Sequence, residues 1–250
     1  MPAKSETYWK NRADLGEGST WYLDRWKDWY SKTLIKHCFK RVENLLRGKT
    51  ILDAGCGDCW LDLWLIQKFA CYVMGVDRFD YGRNKERVAD RLMYVPGVDI
   101  ELLPEVNLVK AWTPDVAVVC SVLECTNDWK KALASIMAVA PVTVLFEDLR
   151  MESPWYQVGL DYKHPITWDE FLVEALWIAK NDLHVHLKLK GITANVIDRA
   201  LFVRTPKWLW WLVAPVTLLI DLTAQHMPVF KGWIEKHGRF RLVVVEQMER

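Results

Sequence analysis

Residues Thr50–Trp60 read T-I-L-D-A-G-C-G-D-C-W, an apolar strand that ends in an acid and runs straight into a glycine turn. Glycine carries no Cβ, so a bound group can approach the backbone closely at Gly55 and Gly57. Both positions also tolerate the positive φ that a sharp strand-to-helix turn demands. The first reading is therefore a nucleotide-type site at the end of a strand.

Outward from this run the chain alternates between strand-like and helix-like segments. Residues 60–69 form a helix with Leu61, Leu65 and Phe69 on one face and Trp64 adjacent. A second strand, 71–76, ends in Asp77, and a helix is expected over 84–93. Short apolar runs at 100–103 and 116–120 read as third and fourth strands buried on two faces. An amphipathic helix over 128–139, with Thr126 and Asn127 available as caps, precedes a fifth strand at 142–146 that ends in Glu147 and Asp148. Thr167 and Glu170 have capping-box spacing, so a helix starts at Trp168; it is expected to run to about residue 190, before Gly191. Late strands are expected at 194–202 and 240–245. The alternation specifies a doubly wound α/β sheet, whose ligands bind outside the carboxyl ends of its strands.

Ahead of this unit, Trp26, Tyr30, Leu34, Cys38 and Val42 recur four apart and Leu45 follows, an apolar stripe along one helix over 24–46. Residues 1–48 thus read as a helical lid or cap segment, and 49–250 as one Rossmann-like domain. The chain has 250 residues, 51% of them hydrophobic, enough for a sizeable core. Lys+Arg 33 against Asp+Glu 32 leaves a net charge of +1, with no electrostatic footprint for duplex nucleic acid. Six cysteines are too few for a secreted disulfide scaffold. The first ten residues, M-P-A-K-S-E-T-Y-W-K, carry no apolar run resembling a secretory signal, so cytoplasmic expression is expected.

The cofactor class follows from charge around the turn. Asp77 lies 24 residues after Asp53, where a carboxylate can accept both hydroxyls of a ribose. A dinucleotide site wants a third glycine and a helix start open to pyrophosphate; here Trp60 takes that place and Asp58 puts a negative charge there. Acids on both sides of the turn suit a cationic, phosphate-free ligand such as S-adenosylmethionine.

At these residues the chain resembles the seven-stranded, class I S-adenosylmethionine-dependent methyltransferases. I-L-D-A-G-C-G-D-C-W resembles their first motif and V-M-G-V-D at 73–77 their second. D-V-A-V-V-C-S-V-L-E-C-T-N-D-W at 115–129 is similar to the fourth-strand segment of the branch that methylates quinones, sterols, lipids and other small molecules. That branch commonly has histidine after the acid at position 124, where this chain has Cys125, and Ala140-Pro141-Val142 replaces the glycine pair before the fifth strand. The resemblance covers about residues 50–148. It implies a mostly parallel seven-stranded sheet with an antiparallel late strand, to which the residues themselves add the N-terminal helical segment and a C-terminal apolar helical insertion at 208–220. It gives Asp53 to the methionine end of the cofactor and Gly55, Cys56 and Gly57 to the close approach. Asp77, with the adjacent Arg78, falls on the ribose side, and Cys120 and Ser121 line the cofactor from the fourth strand. Asp99, Glu101 and Leu102 remain alternatives for the adenine side. A non-catalytic cofactor-binding scaffold and an NAD-dependent oxidoreductase are the competing functions.

Methyl transfer by in-line displacement asks the protein mainly for alignment and exclusion of water; a base is needed only if the acceptor must lose a proton. Asp148, after the fifth strand, and His164, in the following loop, are the candidates. Glu147 is expected to alternate to the other side. Cys56 and Cys59 form C-x-x-C, but no second ligand pair follows at zinc-like spacing, and His184, His186, His226 and His237 make no constellation, so no metal is expected. The acceptor reads as a small or lipid-like molecule, with Trp155, Tyr156, Trp208, Trp210 and Trp211 available for an apolar pocket. The apolar run 208–220 would span only about 20 Å as a helix, too short for a bilayer core of about 30 Å. Peripheral membrane contact through it, core packing and a substrate lid remain open. Oligomeric state is not legible.

Overall fold

The computed structural model describes residues 25–81, 90–149, 166–181, 185–186, 192–193, 207–224, 227 and 240–247. Two N-terminal helices, α1 (Arg25–Lys40) and α2 (Glu43–Leu46), lead into strand β1 (Thr50–Ala54), helix α3 (Trp60–Phe69) and strand β2 (Tyr72–Asp77). Then come β3 (Leu92–Pro96), α4 (Asn107–Trp112), β4 (Val116–Cys120), α5 (Trp129–Met137) and β5 (Val142–Asp148). The late elements are α6 (Trp168–Asn181), β6 (Val185–His186), β7 (Ile192–Thr193), α7 (Trp210–Ala224) and β8 (Phe240–Gln247). The strand order is β3-β2-β1-β4-β5-β8-β6, with β7 also on β8. β1 to β5 run parallel, whereas β8 is antiparallel to β5, with Val144 opposite Val244.

Strands buried on both faces need a core on each side. One core joins Tyr30, Leu34, Phe39 and Leu46 of α1 and α2 to Leu65 and Phe69 of α3, Trp210 and Leu218 of α7, and Ile51, Val73 and Val118 of the sheet. The other packs Val109, Leu133, Ile136 and Phe171 from α4, α5 and α6 onto Leu52, Met74, Val119 and Leu145. The sheet is thus doubly wound and mostly parallel, as the alternation predicts.

Several boundaries differ from expectation. Instead of seven full strands, the described residues hold six of five or more residues, plus two two-residue pieces, β6 and β7, both on β8. The third strand is β3, so Leu92 and Met93 belong to the sheet and not to a helix. Residues 100–103 are not a strand: Asp99 accepts the N–H of Glu101 at 3.0 Å and caps a 3-10 helix, Ile100–Glu105, that contains Pro104. The N-terminal helix breaks at residues 41–42, where the N–H groups of Arg41 and Val42 bond three residues back to Cys38 and Phe39. Asp128, not Thr126 or Asn127, caps α5, and Thr126 bonds the carbonyl of Leu123 instead. The box at α6 forms as spaced: Thr167 N–H donates to Glu170 at 3.1 Å, and Glu170 N–H to the Thr167 hydroxyl at 3.2 Å. That helix stops at Asn181, because Val185 and His186 pair with β8. Residues 194–202 lie outside the described set. Among the described residues no helix is long and apolar enough to cross a membrane.

Candidate functional site

Strand order reverses between β1 and β4, so the loops after these two strands diverge and leave a crevice at the carboxyl edge. The loop after β1 is the glycine turn. Gly55, at φ +82°, and Cys56 both donate to the carbonyl of Val76, at 2.8 and 3.1 Å. A Cβ on Gly55 would lie 2.5 Å from Val122, in the loop after β4. The close approach that this glycine permits is made, at least on that side, by the protein itself.

Asp77, at the end of β2, closes the turn from the other strand. Its Oδ2 accepts the N–H of Gly57 at 3.0 Å and its Oδ1 that of Phe79 at 2.9 Å. The loop beyond is held by Tyr94 of β3, whose hydroxyl donates to Phe79 O and accepts from Tyr81 N–H, both at 3.0 Å. Burial pushes the Asp77 carboxyl up to about 6 despite these backbone donors. The residue remains partly accessible, and each carboxylate oxygen has a second lone pair for a ribose hydroxyl. Arg78 is exposed.

Asp53, at the end of β1, is buried, and its carboxyl lies against that of Asp62 from the first turn of α3. Burial and then the neighbouring Asp62 raise the Asp53 pKa well above the ordinary carboxylate value, with Asp77 adding to it. Neither Oδ1 of Asp53 nor either oxygen of Asp62 makes a hydrogen bond of ordinary geometry to the described residues. Asp62 was missed in the sequence; the signal is an acid inside the apolar run W-L-D-L-W-L. Cys56 is buried with its side chain under the turn, where a Cβ on Gly75 would come within 2.9 Å of its sulfur.

From the other side of the crevice, Cys120 is half-buried at the end of β4, its thiol raised by burial and then by the nearby acids Asp53 and Glu147. Ser121 takes a φ of +56° and donates its N–H to Phe146 O at 2.8 Å. Glu147 is expected to alternate to the other side from Asp148, whose side chain lies outside the described set. Glu147 is fully buried, and its Oε1 accepts the N–H of Val122 at 2.8 Å, so β5 fixes the loop that meets Gly55. Glu124 is buried in the 3-10 turn Leu123–Cys125. Glu101 accepts the N–H groups of Asn127 and Asp128 at 2.8 and 3.1 Å, which gives it a structural task between loops. Asp148 lies at the end of β5, opposite Phe240. His164, Trp155 and Tyr156 fall outside the described residues.

With this geometry in view, solved structures give the fold. The chain is similar to the plantazolicin methyltransferase BamL, solved with a triazolic desmethylPZN analog and SAH, at TM-score 0.57 and 12% identity over 98% of this chain and 99% of that one. The class I S-adenosylmethionine-dependent methyltransferase fold is what the two share. A chain from a complex of the Haloferax volcanii Trm112 methyltransferase activator aligns at TM-score 0.56 and 17% identity, over 98% and 96% of the two chains. The [4+2]-cyclase SpnF aligns at 0.53 and 15%, over 84% and 81%. No family profile and no curated protein matches the sequence.

Proposed function

We propose that this protein is an S-adenosylmethionine-dependent methyltransferase that acts on a small-molecule or lipid-like acceptor by direct in-line transfer. The observation that carries the reading is the bond from Gly57 to Asp77: it sets a partly exposed carboxylate beside the glycine turn at the switch point of this fold. A buried acid, Asp53, whose Oδ1 meets no donor among the described residues, fits a cationic ammonium group. Neither feature suits pyrophosphate.

The sulfonium cofactor supplies an activated methyl group when bound. Asp77 holds the ribose side, Asp53 the methionine end, and Gly55, Cys56 and Gly57 form the turn between them. Cys120 and Ser121 line the opposite wall. The N-terminal segment is assigned as a cap on the strength of its described part, α1 and α2, which pack beside α3 and α7 on one face of the sheet. Where the acceptor has a proton to lose, Asp148 at the end of β5 or His164 beyond it receives it.

The acceptor class rests partly on α7. This helix buries Trp210, Ala214 and Leu218 and exposes Trp211, Leu212, Val216 and Leu219, with Trp208 exposed just before it. Such a face fits lipid-like chemistry and peripheral contact with a bilayer surface.

Because a cyclase shares the fold, cofactor binding alone does not decide the reaction. The deciding experiment combines calorimetry with S-adenosylhomocysteine and a radiolabelled-methyl assay against fractionated cell extract. Micromolar binding with a labelled small product supports the proposal. Binding with no label in any fraction leaves a scaffold or a non-methylating enzyme, and no binding at millimolar ligand by folded protein overturns the cofactor assignment.

A further inference from the structure

Beneath the glycine turn lies a cluster of side chains to which the cofactor reading gives no task, since Cys56 enters that reading only through the backbone of the turn. Cys56, Cys59 and Asp62 are all buried, and one ligand atom from each falls within 4.8 Å of the others. The two sulfurs are 3.7 Å apart. That is about the sulfur-to-sulfur edge, near 3.8 Å, of a tetrahedron with Zn–S bonds of about 2.3 Å. Asp62 is fully buried, and neither of its oxygens makes a hydrogen bond of ordinary geometry to the described residues; its polar neighbours are the Cys59 thiol and the Asp53 carboxyl. Gly75 of β2 forms the floor. A Cβ there would stand 2.6 Å from Asp62 Oδ2 and 2.9 Å from Cys56 Sγ, so the space exists only because the position is glycine.

We propose that Cys56, Cys59 and Asp62 bind one zinc ion, two thiolates and a carboxylate being a donor set that this metal accepts. Asp53 lies outside this three-residue group, with its carboxyl against that of Asp62. Such a site needs no second ligand pair far along the chain. In the fold the third ligand is one helical turn away, in the pattern Cys56-x-x-Cys59-x-x-Asp62. On binding, both thiols release their protons to solvent, and the dication offsets charge in a place where a thiolate or carboxylate alone is costly. The ion would join the turn after β1 to the start of α3, and so set the pose of Gly55 and Gly57 from below.

Cys59 also provides a clean variant. Its φ is +61° and its side chain makes no cap bond, so Cys59→Gly removes a ligand at a position whose backbone favours glycine. Full-length protein, purified under reduction without chelator, would be assayed by elemental analysis; metal-stripped protein would then be titrated with Co(II). The expected result is one zinc per chain and a thiolate-to-cobalt charge-transfer band saturating at one equivalent. Cys59→Gly should keep its circular dichroism and lose the band or at least 100-fold in cobalt affinity. Folded, reduced wild-type protein with no band, an unchanged band in Cys59→Gly, or isolation with a Cys56–Cys59 disulfide would overturn the proposal. Binding of S-adenosylhomocysteine to the same samples reports on the cofactor site separately, so either assignment can fail without the other.

Discussion

Asp77 Oδ2 accepts the backbone N–H of Gly57 at 3.0 Å, which ties the acid that ends β2 to the turn that follows β1. The same carboxylate is proposed to hold the ribose, so its removal acts twice: it loses a charged partner for two hydroxyls and releases the turn. Asp77→Ala should weaken binding of S-adenosylhomocysteine by about 2–4 kcal/mol, roughly 30- to 1000-fold. Calorimetry checks this, and a loss under about threefold would remove Asp77 from the cofactor site.

The pH dependence has a definite sign. Burial raises the Asp77 carboxyl in the folded protein to about 6, above its ordinary value of 3.8. Its contribution to stability is therefore full below about pH 4 and is lost as pH rises through about 6. For a shift of this size that amounts to about 3 kcal/mol. In the unliganded protein, Asp77→Asn should remove the contribution, so the melting-temperature difference between variant and wild type should change across pH 4–7. Cofactor affinity runs the opposite way, falling by up to about tenfold per pH unit below about 6 as the acceptor carboxylate is protonated.

Two positive-φ positions predict opposite effects of one methyl group. At Gly55, Ala would meet Val122 at 2.5 Å and strain a φ of +82°, so Gly55→Ala should destabilise by about 2–4 kcal/mol. Ala70, which ends α3 at φ +55°, is exposed, so Ala70→Gly should stabilise by about 1 kcal/mol. Urea titrations of both variants measure the pair.

If His164 takes the acceptor proton, His164→Gln should lower kcat at least about 100-fold while the affinity for S-adenosylhomocysteine stays within about twofold. Asp148→Asn should then affect turnover far less. The reverse pattern would move the role to Asp148, and normal turnover in both would mean an acceptor that needs no base.

The exposed face of α7 predicts partition to lipid. In liposome flotation at low salt, wild type should float with anionic and neutral vesicles, whereas Trp211→Ser combined with Leu219→Ser should remain with the soluble fraction. Failure of wild type to float on either vesicle would make α7 a packing element only.

How much the sequence determined depended on the range of the forces involved. The capping box at Thr167 and Glu170 and the helix over 60–69 were legible because they depend on neighbours within one turn of chain. The glycine turn and the acids at residues 53 and 77 were legible for the same reason, since strand ends and turns leave fixed spacings. The third strand was misplaced because residues 92–96 owe their conformation to pairing with β2, not to any strong alternation of their own. The same holds for Val185–His186, drawn out of a helical pattern by β8. At the site, the sequence supplied Asp53 and Asp77 but not their partners. Asp62 meets Asp53 only when α3 folds back over β1, Glu147 reaches Val122 only when β5 lies beside β4, and Val122 fills the space over Gly55 only across the strand-order reversal. Such contacts join residues distant along the chain, and burial inside the completed fold, rather than local spacing, sets their charge and geometry.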